Sequence, residues 1–237
     1  MMKNREEEHI IGGNKIRSII LGLNDGLIST FTLLVGVAAA TLISTGNNAI
    51  VILTGIAALV SGSISMGLGE YISSKSEYNY IKNEMKREKI EIELFPEEER
   101  MEVREMCKNM GLNGDILESC VNTITSNKET WLNFLLKSEL GLEEPKNPVF
   151  GAILTFFSFV IGAIIPLSPY FLNMGIISLI ISSIMSFSML AIVGAFKTKI
   201  TGQPKYKGAI EMLIVGAIAF TCSYSIGLWL DLFMTNF

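Results

Sequence analysis

Five long apolar stretches constrain this 237-residue sequence more than any other feature. Their approximate bounds are 19–43, 49–72, 149–167, 170–195 and 209–230. A helix needs about 20 mostly apolar residues to cross a bilayer, and none of the stretches shows the alternating pattern of a strand. Within lipid, the backbone hydrogen bonds must be made inside the chain. The sequence therefore predicts an all-α integral membrane protein with five transmembrane helices.

The composition agrees with a membrane protein. Hydrophobic residues make up 49% of the chain and charged residues 18%, whereas charged residues are about a quarter of a soluble domain. Most acidic residues lie between Glu70 and Glu144, so the net charge of −4 is unevenly placed. We expect no nucleic-acid binding, because no basic patch is present. We also expect no cleavable signal peptide, because residues 1–17 are polar and charged.

Histidine and cysteine are too scarce for several classes of site. The chain has one histidine, His9, and three cysteines, Cys107, Cys120 and Cys222. No two cysteines form a CxxC pair, so we expect free thiols in a reducing compartment. Zinc sites, histidine-based catalysis and ExxH di-iron centres lack the residues that they need. We therefore expect a protein that is not an enzyme and holds no prosthetic group.

Basic residues predict the orientation in the membrane. Lys15 and Arg17 precede the first apolar stretch, Lys75 follows the second, and Lys146 precedes the third. The connection between the fourth and fifth stretches carries four lysines, whereas the two remaining connections and the segment after the fifth stretch carry no basic residue. Because basic residues collect in cytoplasmic loops, we expect a cytoplasmic N-terminus and polar segment and an external C-terminus.

The apolar stretches divide the chain into three parts. Residues 1–74 hold the N-terminal tail and transmembrane helices 1 and 2, and residues 148–237 hold transmembrane helices 3–5. Residues 75–147 form a polar domain, for which we predict three helices. The first of these helices continues the second transmembrane helix as far as about Leu94.

Local signals predict where the other two helices of the polar domain begin and end. Pro96 starts the second helix, because proline suits the first helical position, and Gly111 and Gly114 interrupt it before it continues. The segment Ser126–Glu129 has the spacing of a capping box, which predicts the start of the third helix. Gly141 predicts its end.

Three side chains in the first two apolar stretches are candidates for an ion pathway. Asp25 and Glu70 are carboxylates at positions where burial is costly, and such residues usually face a pathway or a partner. Met66 lies four residues before Glu70 on the same helix face, and its thioether suits the passage of a transition metal. Gly22 and Gly26 match the spacing by which membrane helices pack closely. Two alternatives stay open, because Asp25 can reach headgroup water and Met66 can be core packing.

The polar segment concentrates glutamates at helical spacing. They form one set on each of its first two helices: Glu84, Glu88 and Glu91, then Glu99, Glu102 and Glu105. Glu88 also lies on one stripe with the apolar residues Ile81, Met85 and Ile92. For Glu93, Glu97 and Glu98 we favour a simpler interpretation, namely helix capping or a solvated face.

Glu139 is the most unusual of the acidic residues. It lies within the apolar stripe of the third helix, which consists of Leu132, Leu135, Leu136 and Leu140. We therefore expect its side chain to point inward, where a carboxylate needs a partner. Carboxylates that converge without matching cations repel one another, and a multivalent cation removes that repulsion.

Segments along nearly the whole chain resemble the vacuolar iron transporter family. In order, they are GLNDGLISTFTLLVG, SGSISMGLGEYISSKSE, PEEERMEVREM with the following GL, WLNFLLKSELGLEEP and KTKITGQPKYKGAIEMLIVGAIAFTCSYSIG. The resemblance implies a five-span homodimer with a cytoplasmic three-helix metal-binding domain between spans 2 and 3. It also implies that Fe²⁺ or Mn²⁺ leaves the cytosol while protons enter.

The resemblance also assigns site residues, position by position. The family's metal-binding glutamates correspond to Glu88, Glu91, Glu99, Glu102 and Glu139. Its pathway acid corresponds to Asp25, its pathway methionine to Met66, and Glu70 lies in its GEY signature. Some plant relatives carry two methionines before the third-helix glutamate, where this chain has Leu135 and Leu136. A site made only of oxygen ligands accepts manganese as well as iron.

The sequence thus predicts a proton-coupled antiporter for Fe²⁺ or Mn²⁺. Its expected partners are metal ions, protons, the lipid bilayer and a second copy of the chain. Its expected location is the cell membrane in a prokaryote or the vacuolar membrane in a eukaryote. The alternative is a membrane-anchored metal sensor or buffer without transport, in which Asp25 is dispensable. The choice between iron and manganese stays open, as does metal binding by Glu84, Glu105 or Glu143.

Overall fold

The computed structural model describes residues 13–45, 47–142, 147–201 and 204–235, and within these ranges every regular element is a helix. The α-helices are α1 (Gly13–Thr45), α2 (Ala49–Leu94), α3 (Pro96–Asn109), α4 (Gly114–Thr125), α5 (Lys128–Ser138), α6 (Pro148–Leu167), α7 (Ile176–Thr201) and α8 (Lys205–Thr235). A 3₁₀ helix, Ser168–Leu172, follows α6 directly. The prediction of an all-α fold is confirmed. His9 and Glu143 lie outside the described residues.

Five helices are long and apolar enough to cross a membrane, which agrees with the five predicted spans. They are α1, α2, α6 with its 3₁₀ extension, α7 and α8. Helix α2 has 46 residues, because the polar segment continues it without a break. Helix α7 begins at Ile176 and not at residue 170. The reason is local: Asn173 and Gly175 have φ angles of 52° and 59°, which an α-helix does not accept.

The chain forms two compact units. Met1–Tyr71 and Val149–Phe237 make up the first, which we call the membrane unit, and Ile72–Pro148 makes up the second, which we call the acidic unit. The domain boundaries at residues 74 and 147 stay predictions of the sequence.

Helix α1 supplies much of the core of the membrane unit. Several of its apolar side chains are fully buried, namely Leu27, Phe31, Leu34, Val35 and Ala39. The ring of Phe31 contacts Phe187 of α7 and Phe220 of α8, with ring centroids 5.6 and 6.1 Å apart. Such burial is expected of a helix that other helices surround.

Glycines bring α1 and α6 into backbone contact. A Cβ atom at Gly22 would lie 2.6 Å from the carbonyl oxygen of Thr155. A Cβ atom at Gly26 would overlap the carbonyl group of Phe159, and one at Gly162 would overlap that of Leu23. The GxxxG spacing in α1 therefore marks a real close helix crossing.

Helix α2 contacts α6 in a similar way. A Cβ atom at Gly62 would overlap the ring of Phe159, and one at Gly67 would lie 3.1 Å from the Cβ of Phe156. Further along, the Glu70 carboxylate lies against Gly151, where an added Cβ would be 3.1 Å from its Oε1. Gly151 of α6, which has no side chain, thus leaves room for the Glu70 side chain of α2.

The acidic unit has its own apolar core. Its buried residues come from four helices and are Ile92, Val103, Cys107, Val121, Trp131, Leu132, Leu135 and Leu136. The prediction of three helices is not confirmed, because α3 and α4 take the place of the single second helix. Gly111 and Gly114 explain the break, since their φ angles are 92° and 60°.

The start of α5 differs by one residue from the predicted capping box. Asn127 is the N-cap, and its side-chain oxygen accepts hydrogen bonds from the backbone N–H groups of Glu129 and Thr130. Ser126 instead ends α4, and its hydroxyl donates to the carbonyl of Thr123. The prediction was wrong here because asparagine caps as well as serine does and lies next to it.

The α1–α6 crossing predicts a clear difference between two glycine-to-alanine substitutions. We expect Gly26→Ala to lower the free energy of unfolding by about 1–3 kcal/mol, the usual cost of overpacking. The measurement is thermal unfolding of the purified full-length protein in detergent. The matched control is Gly69→Ala, because an added Cβ at Gly69 meets no atom within 4 Å. We expect the control to be unchanged or more stable by up to about 1 kcal/mol, since alanine favours helix. Equal losses in both variants would contradict the backbone contact.

Candidate metal centre

Glu88 lies on the buried side of α2. It is 2% exposed, and the apolar residues of the same stripe, Ile81 and Ile92, are 6% and 5% exposed. The sequence predicted this shared stripe, and the structure confirms it. A carboxylate so placed loses most of its water and needs other interactions in exchange.

Helix α3 carries the second pair of predicted ligands. Pro96 occupies its first turn together with Glu97–Glu99, as the sequence predicted. Glu99 is 6% exposed, and its Oε2 is buried without a hydrogen-bond partner. Glu102 lies one turn later and is exposed. The pair thus presents one buried and one accessible carboxylate.

Glu139 does not point into the core as predicted. It is the C-cap residue of α5 and is exposed, although Leu135 and Leu136 of the same stripe are buried. The expectation of an inward side chain is wrong because α5 ends at Ser138 and Glu139 follows as an exposed cap, while Leu140 and Leu142 still pack against the core. The charge of Glu139 nevertheless acts on both Glu88 and Glu99.

The five predicted ligands form one electrostatic cluster, which we call the glutamate cluster: Glu88, Glu91, Glu99, Glu102 and Glu139. Burial, followed by the charges of Glu139, Glu91 and Glu102, raises the pKa of Glu88 to about 7. Burial and the charges of the other four members raise the pKa of Glu99 to about 7. Partial burial and then Glu102 and Glu91 raise the pKa of Glu139. Glu88, Glu99 and Glu139 therefore hold protons more tightly than ordinary glutamates do.

Arg87 is a cation at the cluster that the sequence analysis missed. Its guanidinium lies 3.4 Å from a carboxylate oxygen of Glu84 and 3.4 Å from one of Glu91. Its charge acts to lower the pKa values of Glu88 and Glu139, against the stronger raising effects. The i−3 and i+4 spacing to Glu84 and Glu91 is the signal that could have found it. The interpretation that the carboxylates lack any matching cation is therefore wrong.

The acidic residues outside the cluster have other surroundings. Glu93, Glu97 and Glu98 are exposed, as their interpretation as solvated or capping residues requires. The carboxylate of Glu93 lies 3.1 Å from the Lys128 ammonium. Glu105 is also exposed.

The side chains of the glutamate cluster do not converge on a single point. Among the residues that the structure describes, no three histidine, cysteine, aspartate or glutamate side chains are close enough to hold a metal ion as they stand. The donor set is nevertheless suitable for a hard or borderline divalent cation, since it consists of carboxylate oxygens. Exposed members such as Glu102 and Glu139 would have to rotate toward the ion. Leu135 and Leu136 contribute to the core and not to this donor set.

Contacts with Phe159 of α6 relate the positions of Asp25 and Met66 along the helix bundle. Gly26, next to Asp25, contacts the backbone of Phe159, and Gly62, one turn before Met66, contacts its ring. Asp25, Met66 and Glu70 are all half-buried. Glu70 lies against Gly151, eight residues from Phe159 on α6, which corresponds to about 12 Å along the helix axis. Met66 is four residues from both Gly62 and Glu70 on α2, so it lies about 6 Å along the axis from each, midway between the two levels.

Five candidate membrane-spanning helices define the chain as a multi-pass helical membrane protein. Sequence comparison makes the assignment specific: residues 16–228 match the model of the VIT family, and the chain belongs to that family. It is similar to vacuolar iron transporter 1 of Tulipa gesneriana, with 34% identity over 95% of this chain and 91% of the relative. Vacuolar iron transporter 1 of Arabidopsis thaliana is 35% identical over 94% of this chain and 89% of the relative. The vacuolar iron transporter of Plasmodium falciparum is 31% identical over 93% and 84%. The resemblance seen in the sequence is confirmed.

The raised pKa of Glu88 predicts a pH-dependent gain of stability on its neutralisation. Its pKa is about 7 in the folded chain against an ordinary value of 4.5, so folding favours the protonated form. The corresponding stability is complete below pH 4.5 and is lost as the pH rises through 7. We expect Glu88→Gln to stabilise the metal-free protein at pH 8 by about 1–2 kcal/mol, less than the full pKa shift implies because solvent screens part of the interaction.

Thermal unfolding of full-length protein with a chelator, at pH 4 and pH 8, measures this effect. The difference between Glu88→Gln and the parent should vanish at pH 4. Glu97→Gln is the control, because Glu97 is exposed in the first turn of α3. There we expect no gain but a loss of about 0.3–1 kcal/mol, since a negative charge favours a helix N-terminus. A Glu88→Gln variant that is less stable than the parent at pH 8 would argue against the crowding of charge.

Proposed function

We propose that this protein is a proton-coupled transporter that moves Fe²⁺, Mn²⁺ or both out of the cytosol. Membership of the VIT family and the names of its relatives support iron as a cargo. Manganese is proposed because the glutamate cluster offers oxygen donors, which both ions accept. The metal ion is cargo in this proposal and not a resident cofactor.

The single observation that carries the proposal is the mutual interaction of five carboxylates from α2, α3 and the end of α5. A cluster of like charges, two of them nearly buried, destabilises the folded state. A divalent cation would relieve the repulsion and satisfy the unpartnered Oε2 of Glu99. We infer that the acidic unit collects the ion before transport.

Asp25, Met66 and Glu70 are proposed to line the route through the membrane. An ionisable residue in a membrane helix is by default a candidate for an ion pathway. Met66, one turn of α2 before Glu70, adds a soft ligand that binds a transition metal weakly. Weak ligands suit transport, because an ion must leave each site as readily as it enters.

We propose that protons move in the direction opposite to the metal ion and that carboxylates bind both. A carboxylate binds either a metal ion or a proton, so the two compete. Glu88 and Glu99, with pKa values of about 7, are partly protonated near neutral pH. Metal binding at the cluster therefore releases protons, and acidification displaces metal.

The arrangement in the membrane completes the proposal. Lysine placement favours a cytoplasmic N-terminus and acidic unit and an external C-terminus. The resemblance to the family favours a homodimer. Transport then carries the ion across the cell membrane of a prokaryote or into the vacuole of a eukaryote.

Uptake into liposomes tests the transport proposal. Full-length protein is reconstituted in vesicles with an imposed pH gradient, and Fe²⁺ and Mn²⁺ uptake is followed with an internal metal-sensitive dye. We expect uptake that depends on the gradient, and Asp25→Asn should reduce it to the level of protein-free vesicles. Ser29→Ala is the control, because Ser29 is exposed one turn further along α1.

Two results would count against the proposal in different ways. Folded protein that binds metal but shows no uptake under any gradient would favour a sensor or buffer. Normal uptake by Asp25→Asn would refute the route through the membrane while leaving a transporter in place.

Metal affinity of the acidic unit gives a second test. We expect Glu139→Ala in the full-length protein to weaken Fe²⁺ or Mn²⁺ binding by at least about tenfold, as loss of a ligand does. Isothermal titration under anaerobic conditions measures the change. Glu97→Ala is the matched control, since Glu97 is exposed and does not act on the pKa of Glu88 or Glu99. Equal affinities in the Glu139→Ala variant and the parent would remove Glu139 from the site.

A further inference from the structure

Two thiols meet in the core of the acidic unit. The Sγ atoms of Cys107 on α3 and Cys120 on α4 are 3.8 Å apart, close enough for one thiol to donate a hydrogen bond to the other. Cys107 is 1% exposed, whereas Cys120 is half-buried. The pair is therefore reachable from solvent on one side only.

We propose that Cys107 and Cys120 form a reversible disulfide that clamps α3 to α4 when the protein meets a thiol oxidant of the glutathione disulfide class. A disulfide has an S–S bond of about 2.05 Å, so the two sulfur atoms must approach by about 1.8 Å from the 3.8 Å contact. Rotation of the two side chains covers much of that approach. No rearrangement of the helices that already pack together is needed to bring the thiols into contact.

The surroundings favour a disulfide over other products of the pair. The core around the thiols is apolar and includes Val103, Val121 and Leu135. A disulfide carries no charge, whereas a structural metal site would need four ligands, and the pair supplies only two sulfur atoms. Burial, with a hydrogen bond to Cys120, raises the pKa of the Cys107 thiol to about 11, so Cys107 is not the thiol that first attacks the oxidant.

Exposure determines the order of the reaction. The Cys120 thiolate attacks the oxidant, which forms a mixed disulfide and releases one glutathione thiol. Cys107 then loses its proton and attacks the sulfur of Cys120, which forms the protein disulfide and releases the second glutathione. Overall, two protein thiols are oxidised by two electrons and one glutathione disulfide is reduced to two thiols. A reducing thiol reverses both steps.

The bridge would affect the helix that carries two members of the glutamate cluster. Glu99 and Glu102 lie on α3 with Cys107, and the bridge would tie α3 to α4 across the turn that contains Gly111. If the acidic unit faces the cytosol, which rests on the proposed function, the resting state is the dithiol and the disulfide is transient. The chemistry itself can be tested without any measurement of transport.

Peptide mapping of the oxidised protein tests the proposal. The full-length chain with Cys222→Ala is incubated in detergent with glutathione disulfide, then unfolded, alkylated and digested with trypsin. Cleavage after Arg104, Lys108 and Lys128 places Cys107 and Cys120 in separate peptides, so a disulfide appears as a linked pair that lacks two hydrogen atoms. We expect the linked pair to exceed glutathione adducts by at least about tenfold and to disappear on reduction.

A control variant and a stability measurement complete the test. In the Cys120→Ala variant, Cys107 should remain unmodified in the folded protein, because the thiol that first attacks the oxidant is gone. The oxidised parent should also unfold at a temperature at least about 4 °C higher than the reduced parent, because the bridge closes a loop in the unfolded chain. Glutathione adducts without a linked pair, or unreacted thiols, would overturn the proposal. An unchanged unfolding temperature of the bridged protein would overturn the clamp.

Discussion

Repulsion among carboxylates is the constraint on which the acidic unit depends. Glu88 and Glu99 are almost fully buried, and the charges of Glu91, Glu102 and Glu139 act on them. The unit compensates by an apolar core to which four helices contribute, and Trp131 and Leu135 belong to it. It also keeps part of the cluster in solvent, where charge is less costly. The result is a folded unit in which the carboxylates of the glutamate cluster still repel one another.

The membrane unit solves a different problem, because lipid offers no hydrophobic gain for helix association. Backbone contact at Gly26 and Gly162 brings α1 against α6. Contact of this kind leaves α1 with little freedom beside α6 and positions Asp25, its neighbour in sequence, at a defined level. Phe159 meets Gly26 of α1 with its backbone and Gly62 of α2 with its ring, so one residue of α6 packs against both helices.

Features that depend on local chemistry could be predicted from the sequence, whereas features that depend on the extent of the core could not. The apolar spans, the start of α3 at Pro96 and the buried stripe of Glu88 follow from composition and helical period. The exposure of Glu139 does not, because it depends on the end of α5 at Ser138, one residue before Glu139. Pairing of Arg87 with Glu91 was readable from spacing but competed with several other pairs. The pKa values of about 7 arise from burial that only the folded unit creates.

Arg87 gives the cluster a resident counter-ion. Its guanidinium lies 3.4 Å from carboxylate oxygens of Glu84 and Glu91. A divalent ion that uses Glu91 as a ligand must therefore displace a positive charge that is already there. Binding becomes an exchange between two cations, and its free energy is a difference between two interactions. Under the proposed function, a substitution of Arg87 would therefore change the affinity for the ion without removing a ligand.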